Sequence, residues 1–322
     1  MEWSSRIETF LQLLAAGLIQ GCNYGLMCAG LGLIFGVMRV INFAQGDFMT
    51  LGMYAGLLFT AWAASLFSGL AIGAFGWAML GALFAGVVAF FAGSLVHRFL
   101  VGRVSGVRAA GLEDAGHAGQ LILTLGLSLV LQNGALMLFG STPVTIRNSL
   151  SGRSWEAGPL WGEDVSVFVN QARTWSALVA VAVAIGLALL MGRTRMGRRL
   201  RAAADNPRAA LLMGVDVDRA HRTAFGLGVA VTTIAGAALA TYLPFQPYTG
   251  LDFVVIMYAG VVLGGMGSIG GAFWGGLVIG LVQQMSTLIL PVQLQNTAIF
   301  VVFLFVLLLR PQGLFGRTAE RA

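Results

Sequence analysis

From Phe48 to Val96 this chain contains no Asp, Glu, Arg or Lys, and from Phe253 to Leu309 it again contains none. A helix needs about 20 mostly apolar residues to cross the hydrocarbon core of a bilayer, so the two runs hold roughly two and three crossings. Only 10% of the 322 residues are charged and 57% are hydrophobic, whereas a soluble domain carries roughly a quarter charged residues. The core of a soluble protein does not absorb that balance. The chain is expected to be an all-α, polytopic membrane helical bundle.

All 19 basic residues are arginine, and they lie outside or at the edges of the apolar runs. The net charge of +6 therefore marks a few short loops rather than a solvated face for nucleic acid, and the arginines act as topology signals. Cys22 and Cys28 fall in the first apolar run, where cysteine behaves as a small hydrophobe, so neither a disulfide nor a metal framework is expected. The start Met1-Glu2 lacks the basic stretch of a signal peptide, and the run from Phe10 to Val37 is too long for a signal core. It is expected to stay as a membrane helix.

Apolar runs between polar breaks give about nine spans: Phe10 to Val37, Phe48 to Leu66, Ala71 to Val96, Gln120 to Phe139, Trp175 to Met191, Thr223 to Leu243, Phe253 to Leu263, Ala272 to Leu290 and Thr297 to Leu309. The seventh is short and runs into glycines; if it is re-entrant, or the long first run is a broken pair, the count is eight or ten. The loop from Arg193 to Arg222 holds eight arginines against Asp205, Asp216 and Asp218, which places it in the cytoplasm by the positive-inside rule. Arg98, Arg103 and Arg108 put the earlier loop on the same side, and Arg310, Arg317 and Arg321 do so for the tail. Counting back places the N-terminus outside, with the Ser141 to Thr174 segment, whose Arg147, Arg153 and Arg173 are balanced by Glu156, Glu163 and Asp164. The 45 glycines spread through the spans are mostly explained by close helix packing, because small residues let backbones approach in lipid.

Two segments interrupt the helical pattern. One is Arg39 to Asp47, which includes Asn42, Gln45 and Gly46; the other is Gly264 to Gly271, which includes Gly265, Gly267, Ser268 and Gly270. Unwound backbone at membrane depth survives only where it is buried in protein or lines a water-filled path, so both are candidate walls of a translocation pathway. The plainer reading is an ordinary cytoplasmic turn in each case. Asp47 favours the functional reading, since a lone intramembrane carboxylate is costly, and Arg39 is its candidate partner. The pairs Gln132-Asn133 and Gln283-Gln284 are read as hydrogen-bonding glue between helices.

Within the cytoplasmic loop, Asn206 suits an N-cap, Pro207 the first helical position and Gly214 the left-handed position that ends a helix. The result is a helix of about two turns, too short to stand alone in water, which therefore needs a docking surface. Asp218 is expected to cap the following membrane helix. The plainer reading is a solvated loop whose arginines touch anionic lipid.

At these residues the chain resembles the permease subunits of branched-chain amino-acid ABC importers, the LivH and LivM type. Arg208-Ala-Ala-Leu-Leu-Met-Gly214 is similar to the EAA-x-x-x-G coupling motif of importer permeases, with arginine in place of glutamate. The resemblance extends to Gly32 through Phe48, Gly264 through Gly271 and Arg310 through Gly316, and the short N-terminus with the Arg-Val-Ile-Asn-Phe-Ala-Gln-Gly-Asp wording favours the LivH subtype. It implies a single transmembrane permease domain over residues 1–322, with a coupling loop at 193–222. It assigns the ATPase contact to Arg201, Asn206, Pro207, Arg208, Ala209, Ala210 and Gly214, and the pathway to Arg39, Asn42, Gln45, Gly46, Asp47, Gly264, Gly265, Gly267, Ser268 and Gly270. The implied partners are a homologous second permease, two ATP-binding subunits and an extracytoplasmic binding protein, in the bacterial inner membrane.

No cofactor is expected on this chain, with ATP and magnesium on partner subunits: a phosphate-binding loop needs a lysine, and the chain has none. His97, His117 and His221 fall in expected cytoplasmic loops without acid or cysteine partners at ligand spacing, which excludes a hydrolytic or metal site. Three alternatives stay in view. They are the same kind of importer for urea, short amides or another small polar solute; an ion-coupled secondary transporter using Asp47 and Asp252; and a membrane-embedded enzyme, for which no nucleophile constellation exists.

Overall fold

The computed structural model describes residues 2–67, 73–105, 113–160, 165–310 and 312–316. Arg108, Glu163, Asp164, Arg317 and Arg321 lie outside the described residues, as does the side chain of His117. Each apolar run is a helix: α1 (Glu2–Met38), α2 (Gln45–Leu66), α3 (Ala74–Val96), α5 (Glu113–Phe139), α6 (Gln171–Arg193), α9 (Val217–Leu239), α10 (Thr249–Gly264), α11 (Ile269–Ser286) and α12 (Gln295–Leu309). Between them lie the short helices α4 (Gly102–Ser105), α7 (Arg195–Asp205) and α8 (Pro207–Leu212). Seven helices are long and apolar enough to cross a membrane singly. α10 and α11 pass that test only together, bent by 119° at their break, which makes eight if the pair is one span.

α1 and α9 form the centre of the bundle: α1 packs on α11, α9, α6 and α10, and α9 on α1, α2 and α3. Apolar burial gives no association force in lipid, so these contacts depend on backbone proximity. A Cβ on Gly21 would lie 2.6 Å from the Leu277 carbonyl oxygen of α11, and one on Gly228 would lie 2.6 Å from that of Gly30. α12 stands at the periphery, with Ile299 its only buried residue.

The contacts sort the loops into two ends. At one, the α10–α11 turn meets the end of α1, where a Cβ on Gly36 would lie 3.3 Å from the Gly267 oxygen. The tail docks on the same turn, with Leu314 N donating to Leu263 O at 2.8 Å and Phe315 N to Gly264 O at 3.2 Å. α7 and α8 follow α6 at this end. At the other, β1 (Ser154–Leu160) and β2 (Val165–Asn170) form an antiparallel hairpin, which meets α1 where Phe168 N donates to Gln12 Oε1 at 2.8 Å. Val144 pairs with Phe245 beside it. This hairpin is an addition to the all-α expectation, since the mixed-sign segment gave no alternating pattern strong enough to mark strands.

α10 does not begin at that end. Beyond Phe245 the chain turns back into the bundle, and a Cβ on Gly46 would lie 2.1 Å from the Gly250 oxygen. The Phe253 ring stands 6.0 Å from that of Tyr24, well inside α1. Pro244 and Pro247 keep this return segment from continuing α9.

Candidate functional site

The arginine-rich loop folds into two capped helices. Thr194 caps α7, its hydroxyl accepting from Gly197 N at 3.0 Å; Gly197, Leu200 and Ala203 face inward while Arg195, Arg198, Arg199 and Arg201 face out. This amphipathic helix was not foreseen, although its alternation of arginines with small and apolar residues carries the signal. Gly197 permits the fold-back, because a Cβ there would sit 2.3 Å from Met191 O. Arg201 donates to Gly192 O at 3.3 Å, closing α7 onto the end of α6.

α8 is built as its sequence implies. Asn206 Oδ1 accepts from Ala209 N at 3.0 Å, Pro207 occupies the first turn, and Gly214 has φ +80°. Val215 N donates to Ala210 O at 2.9 Å, completing the cap. Ala210 is the buried residue of the helix, and Arg208 and Ala209 are exposed. Leu211, Leu212 and Met213 point outward at 43%, 90% and 84% exposure. Asp216, not Asp218, caps α9: its Oδ1 accepts from Arg219 N at 2.9 Å. The cap falls there because Gly214 ends α8 two residues earlier, leaving Asp218 in the first turn. A groove of about 290 Å³ between α7 and α9, bordered by Arg199, Gly214 and Arg219, runs beside this platform.

The polar segment after α1 is a tight elbow. Arg39 has φ +54°, Asn42 precedes the helix, and Gln45, Gly46 and Asp47 form the first turn of α2. Asn42 and Gln45 are both 0% exposed. Asn42 Nδ2 donates to Gln45 Oε1 at 2.8 Å, while Gln45 Nε2 donates to Gly228 O at 3.1 Å and Thr232 Oγ1 at 2.6 Å. Asp47 does not pair with Arg39. Arg39 is exposed and Asp47 buried, and among the described residues the one salt bridge is Arg219 to Asp216 at 3.5 Å.

The Asp47 carboxylate instead meets Ser128 and Gln132 of α5. Thr124, one turn earlier, donates to Ile41 O at 3.4 Å. The stripe Thr124, Ser128, Gln132 recurs every four residues on an otherwise apolar helix, and that spacing is the sequence signal that was missed for Thr124 and Ser128. Asn42 Oδ1 and Asp47 Oδ1 keep no hydrogen-bond partner although buried, so both are acceptors open to a donor.

Of the second segment, Gly264 closes α10, Gly270 and Gly271 lie in α11, and only Gly265 to Ser268 are non-helical. Gly265 and Gly267 have φ +102° and +98°, and Ser268 caps α11 by accepting from Gly271 N at 3.0 Å. The glycine turn meets the end of α1 through Gly36 and Gly267, the elbow meets α10 through Gly46 and Gly250, and α8 packs on α7 and α9. Gln283 does join elements: it accepts from Tyr24 Oη at 2.8 Å and donates to Asn296 Oδ1 at 3.3 Å, whereas Gln132 Nε2 donates within α5 to Ser128 Oγ at 3.0 Å. Asn133 bonds only its own helix, at Leu129 O. His97 and His221 are not in solvated loops but buried, at 4% and 9% exposure, because the π-helical extension of α3 lays the His97 ring 5.8 Å from Phe225 of α9.

A bundle of apolar helices long enough to cross a bilayer, with a capped amphipathic platform at one end, defines a multi-pass membrane protein. The chain belongs to the family described as branched-chain amino acid transport system, permease component, whose model matches residues 13–309. It is 30% identical over 315 residues to the high-affinity branched-chain amino acid transport system permease protein LivH of Escherichia coli, covering 98% of each chain. It is 28% identical over 315 residues to BraD, a permease protein of the same description from Pseudomonas aeruginosa, covering 97% of each. The L-arabinose transport system permease protein AraH of Escherichia coli is 36% identical over 115 residues, 34% of this chain. Each relative carries the name of a transport permease, not of an enzyme. No solved structure matches the chain.

Proposed function

We propose that the chain is the membrane-spanning permease of an ATP-driven importer for branched-chain amino acids, delivered by an extracytoplasmic binding protein and moved with a second permease and two ATPase subunits. The observation that carries this reading is α8. It is a two-turn helix capped by Asn206 and Gly214, with Leu212 and Met213 at 90% and 84% exposure and, among the described residues, little packed over them. Such an apolar knob beside arginines fits a groove on a soluble subunit. The platform lies on the cytoplasmic side of the inner membrane in this reading, and Arg201, Asn206, Pro207, Arg208, Ala209, Ala210 and Gly214 shape the contact.

The chain's own part is mechanical: α8 is the handle, α7 ties it to α6 and α9, and the elbow and glycine turn form the inner wall of the path. The acceptors on Asn42 and Asp47, with Gln45 and Gly46 beside them, suit a solute that brings donors, and the same path is assigned Arg39, Gly264, Gly265, Gly267, Ser268 and Gly270. ATP and magnesium act on the partners. The branched-chain reading is favoured over other small polar solutes by the two relatives that cover nearly the whole chain, whereas the arabinose permease matches a third of it.

The test is ATP-dependent uptake of leucine, isoleucine and valine by the reconstituted complex. Leu212→Ser with Met213→Ser is expected to leave the chain inserted but lower uptake at least about tenfold by removing two exposed apolar anchors for the soluble subunit. Normal uptake with both changed removes the coupling role, and uptake that follows a proton gradient without ATP removes the importer class.

A further inference from the structure

Between α6 and α11 a groove of about 420 Å³ runs along the outside of the bundle, floored by Ala29 of α1 and by Met191, which are 1% and 7% exposed. Its walls are Ala184, Ile185 and Ala188 of α6 and Phe273 and Trp274 of α11. Gly192 and Gly270 also line it, and a Cβ on either would meet nothing within 4 Å, so close helix packing does not account for these two glycines. Along α6 the groove extends from Val181 to Gly192, about 16 Å at the helical rise. That is the depth of one leaflet of a hydrocarbon core about 30 Å thick.

One charged side chain lines the groove, Arg201 of α7, at the end where α6 stops. It is exposed and donates to Gly192 O at 3.3 Å. Among the described residues it has no ion pair, not even with Asp205 one turn on, the one bridge being Arg219 to Asp216. A guanidinium carries several N–H donors in a fork, so most of its donors stay open to an anion at the mouth. No acid lines the groove, so a headgroup ammonium would find no carboxylate there. Over about 16 Å the volume gives a cross-section of about 26 Å², whereas a helix with its side chains is about 10–12 Å across. A helix of another subunit would lie over the groove without filling it; a single hydrocarbon chain fills it. Basic pockets between transmembrane helices suit anionic headgroups, and this one has an apolar slot of matching length behind the cation.

We infer that this groove is a binding site for one anionic phospholipid of the leaflet on the arginine side. Arg201 holds the phosphate, and one acyl chain lies between Ala184, Ala188 and Trp274 down to Val181. Because α7 leads directly into α8, a lipid held by Arg201 links the charge of that leaflet to the platform. The site is independent of which solute the chain carries.

The test titrates the purified full-length transporter in detergent with phosphatidylglycerol and with phosphatidylcholine of the same chains, and counts retained lipids by native mass spectrometry. One saturable phosphatidylglycerol per copy of this chain, preferred over phosphatidylcholine and not displaced by millimolar inorganic phosphate, is the expected result. Arg201→Gln lowers the preference about fivefold, near the contribution of one arginine at an anionic surface, and Arg201→Lys keeps most of it. Ala188→Trp removes the bound lipid by filling the slot, with helical circular dichroism unchanged. Equal retention of the two lipids, an unchanged preference in Arg201→Gln, or full binding in Ala188→Trp each overturns the site. Displacement by phosphate alone overturns it too, since the acyl chain then contributes nothing. So does efficient capture of a neighbouring subunit in intact membranes by p-benzoylphenylalanine placed at Ile185, which is 55% exposed on the groove wall. Any of these failures leaves the importer reading standing, because ATP-dependent uptake decides that separately.

Discussion

At the scale of single residues, the interior is governed by backbone proximity and by a few amides. Gly46 lies so near Gly250 that an added Cβ meets main-chain atoms at 2.1 Å, which cannot swing aside as a side chain would. Gly46→Leu is expected to destabilise the bundle by about 1–3 kcal/mol through overpacking, read as a lower midpoint of thermal unfolding in detergent. Gly126→Ala, where nothing lies within 4 Å, is expected to be neutral or slightly stabilising. Gln45 makes a different kind of contact: it accepts from Asn42 and donates to α9 at Gly228 and Thr232. Gln45→Leu leaves the Asn42 amide without its acceptor, while the Thr232 hydroxyl still donates to Gly228 O at 3.1 Å, a cost of about 1–3 kcal/mol. The double change Asn42→Leu with Gln45→Leu is expected to cost less than the sum of the singles; strict additivity would show that the pair is not coupled.

Among elements, legibility in the sequence tracked how local the cause was. Every transmembrane run became a helix, and Asn206, Pro207 and Gly214 shaped α8 as written, because apolar length and capping are properties of neighbouring residues. Arg39 is the candidate partner of Asp47 by closeness in sequence, but the elbow turns them apart and α5 brings Ser128 and Gln132 near from a distant part of the chain. The same holds for His97, buried by α9, and for the tail, whose docking depends on the shape of the α10–α11 turn. Gly313 in that tail has φ +79°, and a Cβ there would lie 2.5 Å from Gly265 N. Gly313→Ala is expected to detach the tail, so that the amides of Leu314 and Phe315 exchange with solvent at least about tenfold faster through local opening. Unchanged protection would mean that the tail is held by other contacts.

For the whole molecule, the contacts fix which loops share an end, but the sign of the charge decides which end faces the cytoplasm. α8 and the β1–β2 hairpin lie at opposite ends, joined to them by α6 and α9. Positive-inside bias is expected to put the eight arginines of the 193–222 loop within, because translocating arginines is disfavoured at insertion. Two exposed positions report the outcome: Leu212 on α8 at 90% and Trp155 on β1 at 43%. The native thiols interfere little, since Cys28 is buried, and Cys22, half-exposed, is removed as Cys22→Ala. In that background a membrane-impermeant maleimide is expected to label Trp155→Cys in intact spheroplasts and Leu212→Cys only in inverted vesicles. Labelling of Leu212→Cys from outside would place the arginine platform away from any cytoplasmic ATPase, and the importer mechanism would fail with it, whatever the relatives do. Labelling of both from one side would instead contradict the packing, because α6 and α9 would then have to leave the bundle that their glycine and small-residue contacts with α1 hold together.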